Sequence, residues 1–331
     1  LNARFSSVHN VVRLDNGKVI VSDISSYYFK EFTIEGNINI IAGNGNYGLQ
    51  NFTTAPKSQG IYTGSYFLAD KSNGNIMVRR GSNGDVIRLN RSTNLWERII
   101  GSGGTNFWDA DGVAGTSIRG STSGNKDHGL PIGFGDGKLL ISRMRYNDSE
   151  KHWEDFALKT YDSANNFTQA HLAGTNAPAD TYAGGYTGMC ASGSIAATCK
   201  MTYWDYWGSN AWWDGANNRW ILIGRYNTGI ERAIWSITPG GNAVKLGQTA
   251  RNVDESAIWL NEGGTDVIYY CNGGKFYKHD ITNGTDLGAM NWPITNLSCR
   301  GYRIDYNPSN NSIIFPFEQN GLYGVAEYFL N

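Results

Sequence analysis

Five charged side chains and a cysteine recur at one position of a repeated phrase. Six short apolar runs end in Asp23, Arg80, Arg143, Arg225, Cys271 and Glu318. An arginine fork matches a carboxylate, phosphate or sulfate through paired hydrogen bonds. Arginines and carboxylates at equivalent ends describe one of two things: an anion or acidic-sugar subsite, or an internal ion network between units. Arg145, Tyr146 and Tyr226 lie close enough in sequence to extend either arrangement. Longer connections carry Trp108, Tyr186, Trp204 and Trp207, among other rings such as Tyr47 and Phe52. Such rings stack on sugar faces, anchor protein contacts or fill gaps between units.

Catalytic constellations do not assemble from the same inventory. No Gly-x-Ser-x-Gly elbow occurs, which excludes an α/β-hydrolase-type nucleophile. His9, His128, His152, His171 and His279 are scattered, with no pair at ligand spacing. Asp109-Ala110-Asp111-Gly112 begins like a calcium loop but lacks the later oxygen ligands, and reads as a turn. No metal or cofactor motif is present, and the balance leans away from an enzyme.

The totals narrow the partners. Of 331 residues, 42 are Gly and 7 are Pro, 13% are aromatic and 17% charged, a composition of strands and tight turns. A net charge of −1 leaves no basic field for nucleic acid. No apolar run is long enough to span a bilayer. The chain starts at Leu1 with neither Met nor a signal-like segment, which suggests a mature or trimmed fragment.

The elements that must position these residues are hairpins. Leu14-Asp15-Asn16-Gly17-Lys18 leads into Val19-Ile20-Val21-Ser22-Asp23, and the phrase returns at 69–80, 133–143, 213–225, 260–271 and 306–317. The anchors Leu14, Ala69, Gly133, Trp213, Leu260 and Tyr306 are spaced 55, 64, 80, 47 and 46 residues apart. A period near 45 residues with four strands (A to D) per unit predicts an all-β, six-bladed β-propeller of antiparallel blades. One domain over 1–331 is expected, with blades at about 8–43, 66–101, 130–174, 202–248, 255–292 and 300–330. The sixth unit shows three obvious strands, so residues 1–6 are expected to supply its outer strand and close the ring; the alternative is a frayed first segment.

The strand endings Ile-Ala-Gly-Asn-Gly (41–45), Ile-Gly-Ser-Gly-Gly (100–104) and Leu-Ala-Gly-Thr (172–175) resemble those of NHL-type six-bladed propellers. The stretch Asp111 to Thr116 also resembles the Asp-Gly-rich linker that follows such endings in bacterial members. The last three units depart from the pattern. The resemblance implies a binding scaffold, although related propellers include calcium-dependent lactonases with acidic and amide ligands around the channel; Asp23 and Glu318 are the residues that could correspond. The arginine triad is similar to that of six-bladed sialidases, but no Ser-x-Asp-x-Gly-x-Thr-Trp box is present.

In a four-stranded meander the B–C turns and D–A crossovers share one face. The long insertions 44–65, 104–129 and 174–201 are all D–A crossovers, which points to that face as the binding surface. Cys190 and Cys199 share the third crossover, while Cys271 and Cys299 fall at strand ends on the same face. Pairing 190–199 and 271–299 is therefore expected, with an oxidising compartment; four buried thiols in the cytosol are the alternative. The function expected is an extracellular or cell-surface bacterial recognition domain, an adhesin or fibre tip. It would bind a glycan or protein through the loop-rich face, as a homotrimer if a fibre tip. The alternative is a lactonase- or sialidase-like hydrolase at the channel mouth.

Overall fold

The apolar runs Val19-Ile20-Val21, Ile76-Met77-Val78, Leu139-Leu140-Ile141 and Trp220-Ile221-Leu222-Ile223 have no polar alternation. A strand of that kind must be covered on both faces. The computed structural model describes residues 5–33, 36–48, 52–61, 67–80, 85–101, 112, 114–117, 127–147, 152–174, 192, 210–225, 232–249, 256–290, 297–299, 301 and 303–330, with backbone alone at 80, 127–130, 143–147, 152–157, 174, 224–225 and 232. Among these residues it is an all-β molecule of six four-stranded antiparallel sheets, with only short 3₁₀ turns such as Pro56–Ser58.

Blade 1 is β1 (Val8–Arg13), β2 (Val19–Asp23), β3 (Tyr28–Phe32) and β4 (Ile38–Ala42). Blade 2 is β5 (Phe67–Ala69), β6 (Ile76–Arg80), β7 (Asp85–Asn90) and β8 (Leu95–Ile100). Blade 3 is β9 (Asp127–Gly135), β10 (Lys138–Asn147), β11 (His152–Asp162) and β12 (Thr168–Gly174). Blade 4 is β13 (Asn210–Asp214), β14 (Arg219–Arg225), β15 (Arg232–Ile237) and β16 (Ala243–Gln248). Blade 5 is β17 (Ala257–Glu262), β18 (Thr265–Asn272), β19 (Lys275–Asp280) and β20 (Thr285–Ala289). Each is a simple meander.

Blade 6 differs. Its inner strand comes in two pieces, β21 (Leu297–Cys299) and β22 (Asp305–Asn307), which pair with opposite ends of β23 (Ser312–Gln319). On the other edge β23 pairs with β24 (Leu322–Phe329). Phe5 then forms an antiparallel bridge to Tyr323 of β24, so the N-terminal segment takes the outer position and closes the ring.

Six core clusters fill the six gaps between blades. Along β14, Trp220 and Leu222 pack toward blade 3 with Ile132 and Leu140, while Ile221 and Ile223 pack toward blade 5 with Ile268 and Tyr270. Along β2, Ile20 faces blade 2 with Ile76 and Val78; Val19 and Val21 face Ile314 of blade 6. Alternate residues thus serve opposite gaps. Burying each large side chain contributes about 1.5–3 kcal/mol, which sets the blades edge-on around a central channel.

Candidate functional site

Antiparallel strands place the A–B turns of all six blades at one end of the channel. A cavity of about 500 Å³ opens there, within the range of about 300–1,000 Å³ that suits small molecules. Every blade lines it: Val12 and Asp15; Leu68 to Ser72; Phe134 to Gly137; Ala211 to Trp213; Ile258 to Leu260; Arg303 to Tyr306. Phe134, Trp212, Trp213, Trp259 and Tyr306 make it aromatic. Gly135 lets the third and fourth inner strands approach, because a Cβ there would collide with the Trp213 side chain.

The rings are held from behind. Trp213 meets Trp220 edge to face at 5.2 Å. The indole N–H of Trp259 donates to Asp266 Oδ1 at 3.2 Å. Asp266 Oδ2 accepts from Arg219 Nη2 at 2.7 Å, and Arg219 Nε donates to Asp214 Oδ2 at 2.7 Å, which ties blade 4 to blade 5. Burial opposes ionisation of Asp214, but hydrogen bonds from Asn217 and Arg219 and the Arg219 charge outweigh it and hold its pKa below the ordinary carboxylate value.

The polar groups of the lining are ordered too. Asp305 Oδ1 accepts from Lys71 Nζ at 2.6 Å and from Tyr306 N at 2.9 Å; Oδ2 accepts from Arg13 N at 2.7 Å. This pair joins blade 2 to blade 6 past the turn of blade 1, where Asp15 N donates to Lys71 O at 3.0 Å. Asp70 accepts from Ser72 N, Ser72 Oγ and Asn73 Nδ2, and so closes its own turn. Asp136 pairs with Lys138 at 3.0 Å, and that ammonium lies 5.8 Å from the Trp213 ring centroid. Tyr306 Oη donates to Asn311 Oδ1 at 2.9 Å.

Of the strand-end residues singled out in the sequence, Asp23, Cys271 and Glu318 have described side chains. None of these three lines this cavity, because the second strand of each blade ends at the opposite, crossover face. Asp23 is fully buried, accepts from Ser6 N and Ser7 N and pairs with Lys30 Nζ at 2.6 Å. Burial works against its charge, yet these partners hold its pKa below the ordinary value. Its surroundings are those of the internal ion network, and it anchors the N-terminal segment. Glu318 is half-buried in β23 opposite Ser298 and Tyr323. Arg80, Arg143, Arg145 and Arg225 lie within strands whose backbone alone is described there. Tyr226, Trp108, Tyr186, Trp204, Trp207, Cys190 and Cys199 lie outside the described residues. Cys271 and Cys299 form the expected disulfide, with Cα atoms 6.2 Å apart, between blades 5 and 6. Of the crossover aromatics, Tyr47 and Phe52 are described; Tyr47 is 62% exposed, while Phe52 packs against the core between blades 1 and 2.

Among the described residues no group of three or more His, Cys, Asp or Glu side chains could hold a metal ion. With Asp23 committed to Lys30, the described residues do not fit the calcium that the lactonase resemblance implies. No helix among them is long and apolar enough to cross a membrane.

No protein-family model matches the chain, and no curated protein matches it. Solved structures do. A gluconolactonase from Xanthomonas campestris matches with a TM-score of 0.54 at 7% identity, over 99% of this chain and 87% of that one. A Bacteroides thetaiotaomicron protein of unknown function matches with a TM-score of 0.50 at 10% identity, over 98% and 71%. A streptogramin B lyase matches with a TM-score of 0.45 at 12% identity, over 100% and 85%. At 7% and 10% identity, what the chain shares with the first two is the propeller fold.

Proposed function

We propose that this propeller takes up a small hydroxylated ring compound, of the sugar or sugar-lactone kind, at the channel mouth framed by the A–B turns. The observation that carries the reading is the aromatic cavity to which all six blades contribute. Aromatic faces stack on the C–H faces of such rings, and the carboxylates, lysine and arginine supply directional hydrogen bonds. Between the two uses open from the sequence, hydrolase and adhesin, the gluconolactonase neighbour favours the hydrolase. The NHL-type label and the bacterial extracytoplasmic setting belong to the same proposal; the Cys271–Cys299 disulfide supports an oxidising compartment.

The test is titration of the purified chain with glucono-δ-lactone. Acid release is followed against the spontaneous rate, with calcium and with EDTA, alongside quenching of tryptophan fluorescence. Saturable quenching with faster acid release is expected. Quenching without faster release would leave a binding protein, and neither effect would refute the site. Recognition through the crossover face is the second reading, favoured by the exposed Tyr47; glycan-array binding abolished by Tyr47→Ala would establish it.

A further inference from the structure

A break in the sixth blade contributes Arg303 and Ile304 to the lining of the cavity. The inner strand of that blade stops at Cys299 and resumes at Asp305. Between them Gly301 takes φ +92°, where a Cβ would collide with the His9 carbonyl oxygen. This detour presses Arg303 onto blade 1, where it bridges Asn10 in parallel and its carbonyl accepts from Val11 N at 3.3 Å. The guanidinium then reaches across the channel: Nη1 donates to the Ile132 carbonyl of blade 3, the blade opposite, at 3.4 Å. Irregularities that re-aim a side chain cluster at functional sites. Arg303 itself lines the cavity, and a bond of that length is near the limit of a hydrogen bond. The rim has the opposite sign. Lys71 is committed to Asp305 and Lys138 to Asp136. Asp70 is satisfied by the neutral donors Ser72 and Asn73 and lines the cavity together with the exposed Asp15.

We infer that Arg303 is a ligand-contacting residue that closes the channel into a pocket and donates to an oxygen of a neutral ring, and that the acidic rim disfavours the ring-opened anion. This rests on the small-molecule reading above. A neutral acceptor gains the fork without meeting like charge, whereas a carboxylate must pass Asp15 and Asp70. For a lactone, the substrate is then held and the acid product released.

The experiment is fluorescence titration of the full chain at low salt with methyl β-glucoside and with gluconate. The glucoside is expected to bind about tenfold more tightly, and Asp70→Asn to narrow the gap. Arg303→Met is expected to weaken glucoside binding about tenfold, and Arg303→Lys, which keeps the charge but loses the fork, to weaken it severalfold. Gluconate binding as tightly as the glucoside would overturn the charge selection while leaving the site in place. Unchanged glucoside binding in a folded Arg303 variant would overturn the role of the guanidinium. Silence from both compounds would instead sink the small-molecule reading itself, and the inference with it.

Discussion

The two ends of the channel are built on opposite plans. At the A–B end the connections are tight turns closed by their own Asx side chains, as at Asp70, Asp214 and Asn307. Ion pairs stitch one blade to the next there, Glu31 to Arg91 and Arg219 to Asp266, and Lys71 to Asp305 spans from blade 2 to blade 6 past blade 1. At the crossover end the chain makes its long excursions, and the described ties include the Cys271–Cys299 disulfide and the Asp23–Lys30 pair that holds the N-terminal segment. Loop length is a guide to where surface variation collects. The described cavity lies at the other end, where all six inner strands contribute to its lining.

If the A–B end is a preorganised site, damage to its backing should cost the most. Trp220→Ala removes a fully buried ring between blades 3 and 4 and the edge contact behind Trp213. It should destabilise the fold by about 3–5 kcal/mol in denaturant titration and weaken ligand quenching as well. At the crossover end, Cys271→Ser with Cys299→Ser opens a loop spanning 28 residues. A loss of about 3–4 kcal/mol is expected, with quenching by glucoside unchanged while the protein stays folded. Equal loss of binding in both variants would erase the distinction between the ends.

A smaller effect concerns acid. His279 is buried near the C–D turn of blade 5, on the A–B side, with neither ring nitrogen hydrogen-bonded. Burial lowers its pKa below the ordinary 6.5, and the charges of Asp286 and Asp280 only partly offset this. The unfolded chain therefore takes up a proton first as pH falls, so stability present above about pH 6.5 is lost below it. His279→Leu should flatten that acid limb in thermal melts between pH 7 and 5; a limb of unchanged slope would assign it to other groups. The smallest effect is expected for Lys71→Met, which removes a half-exposed ammonium from Asp305. It should cost about 0.5–1 kcal/mol, less in high salt.

The blades were legible because Gly-, Asn- and Asp-containing turns recur beside apolar runs such as Val19-Ile20-Val21 and Ile76-Met77-Val78, at a period that settles near 45 residues. The break in blade 6 was not, since Cys299 to Asp305 is broken by backbone contacts with His9 and Val11 that lie far away in sequence. The site was half legible. Ala69, Trp213, Leu260 and Tyr306, which served to count the repeats, are themselves lining residues. Aligning what surrounds those anchors, rather than the ends of the following strands, would have assembled Phe134, Trp212, Trp213, Trp259 and Tyr306. Arg303 carried no such signal, because its position comes from the strand break and not from the repeat.

The central claim is that a small ring compound enters at the A–B end. Amide hydrogen exchange of the full chain with and without saturating methyl β-glucoside tests it most directly. Slowed exchange is predicted in the turns around 69–72, 134–138, 211–214 and 303–306. Slowing confined to the crossovers 44–65, 104–129 and 174–201 would contradict it.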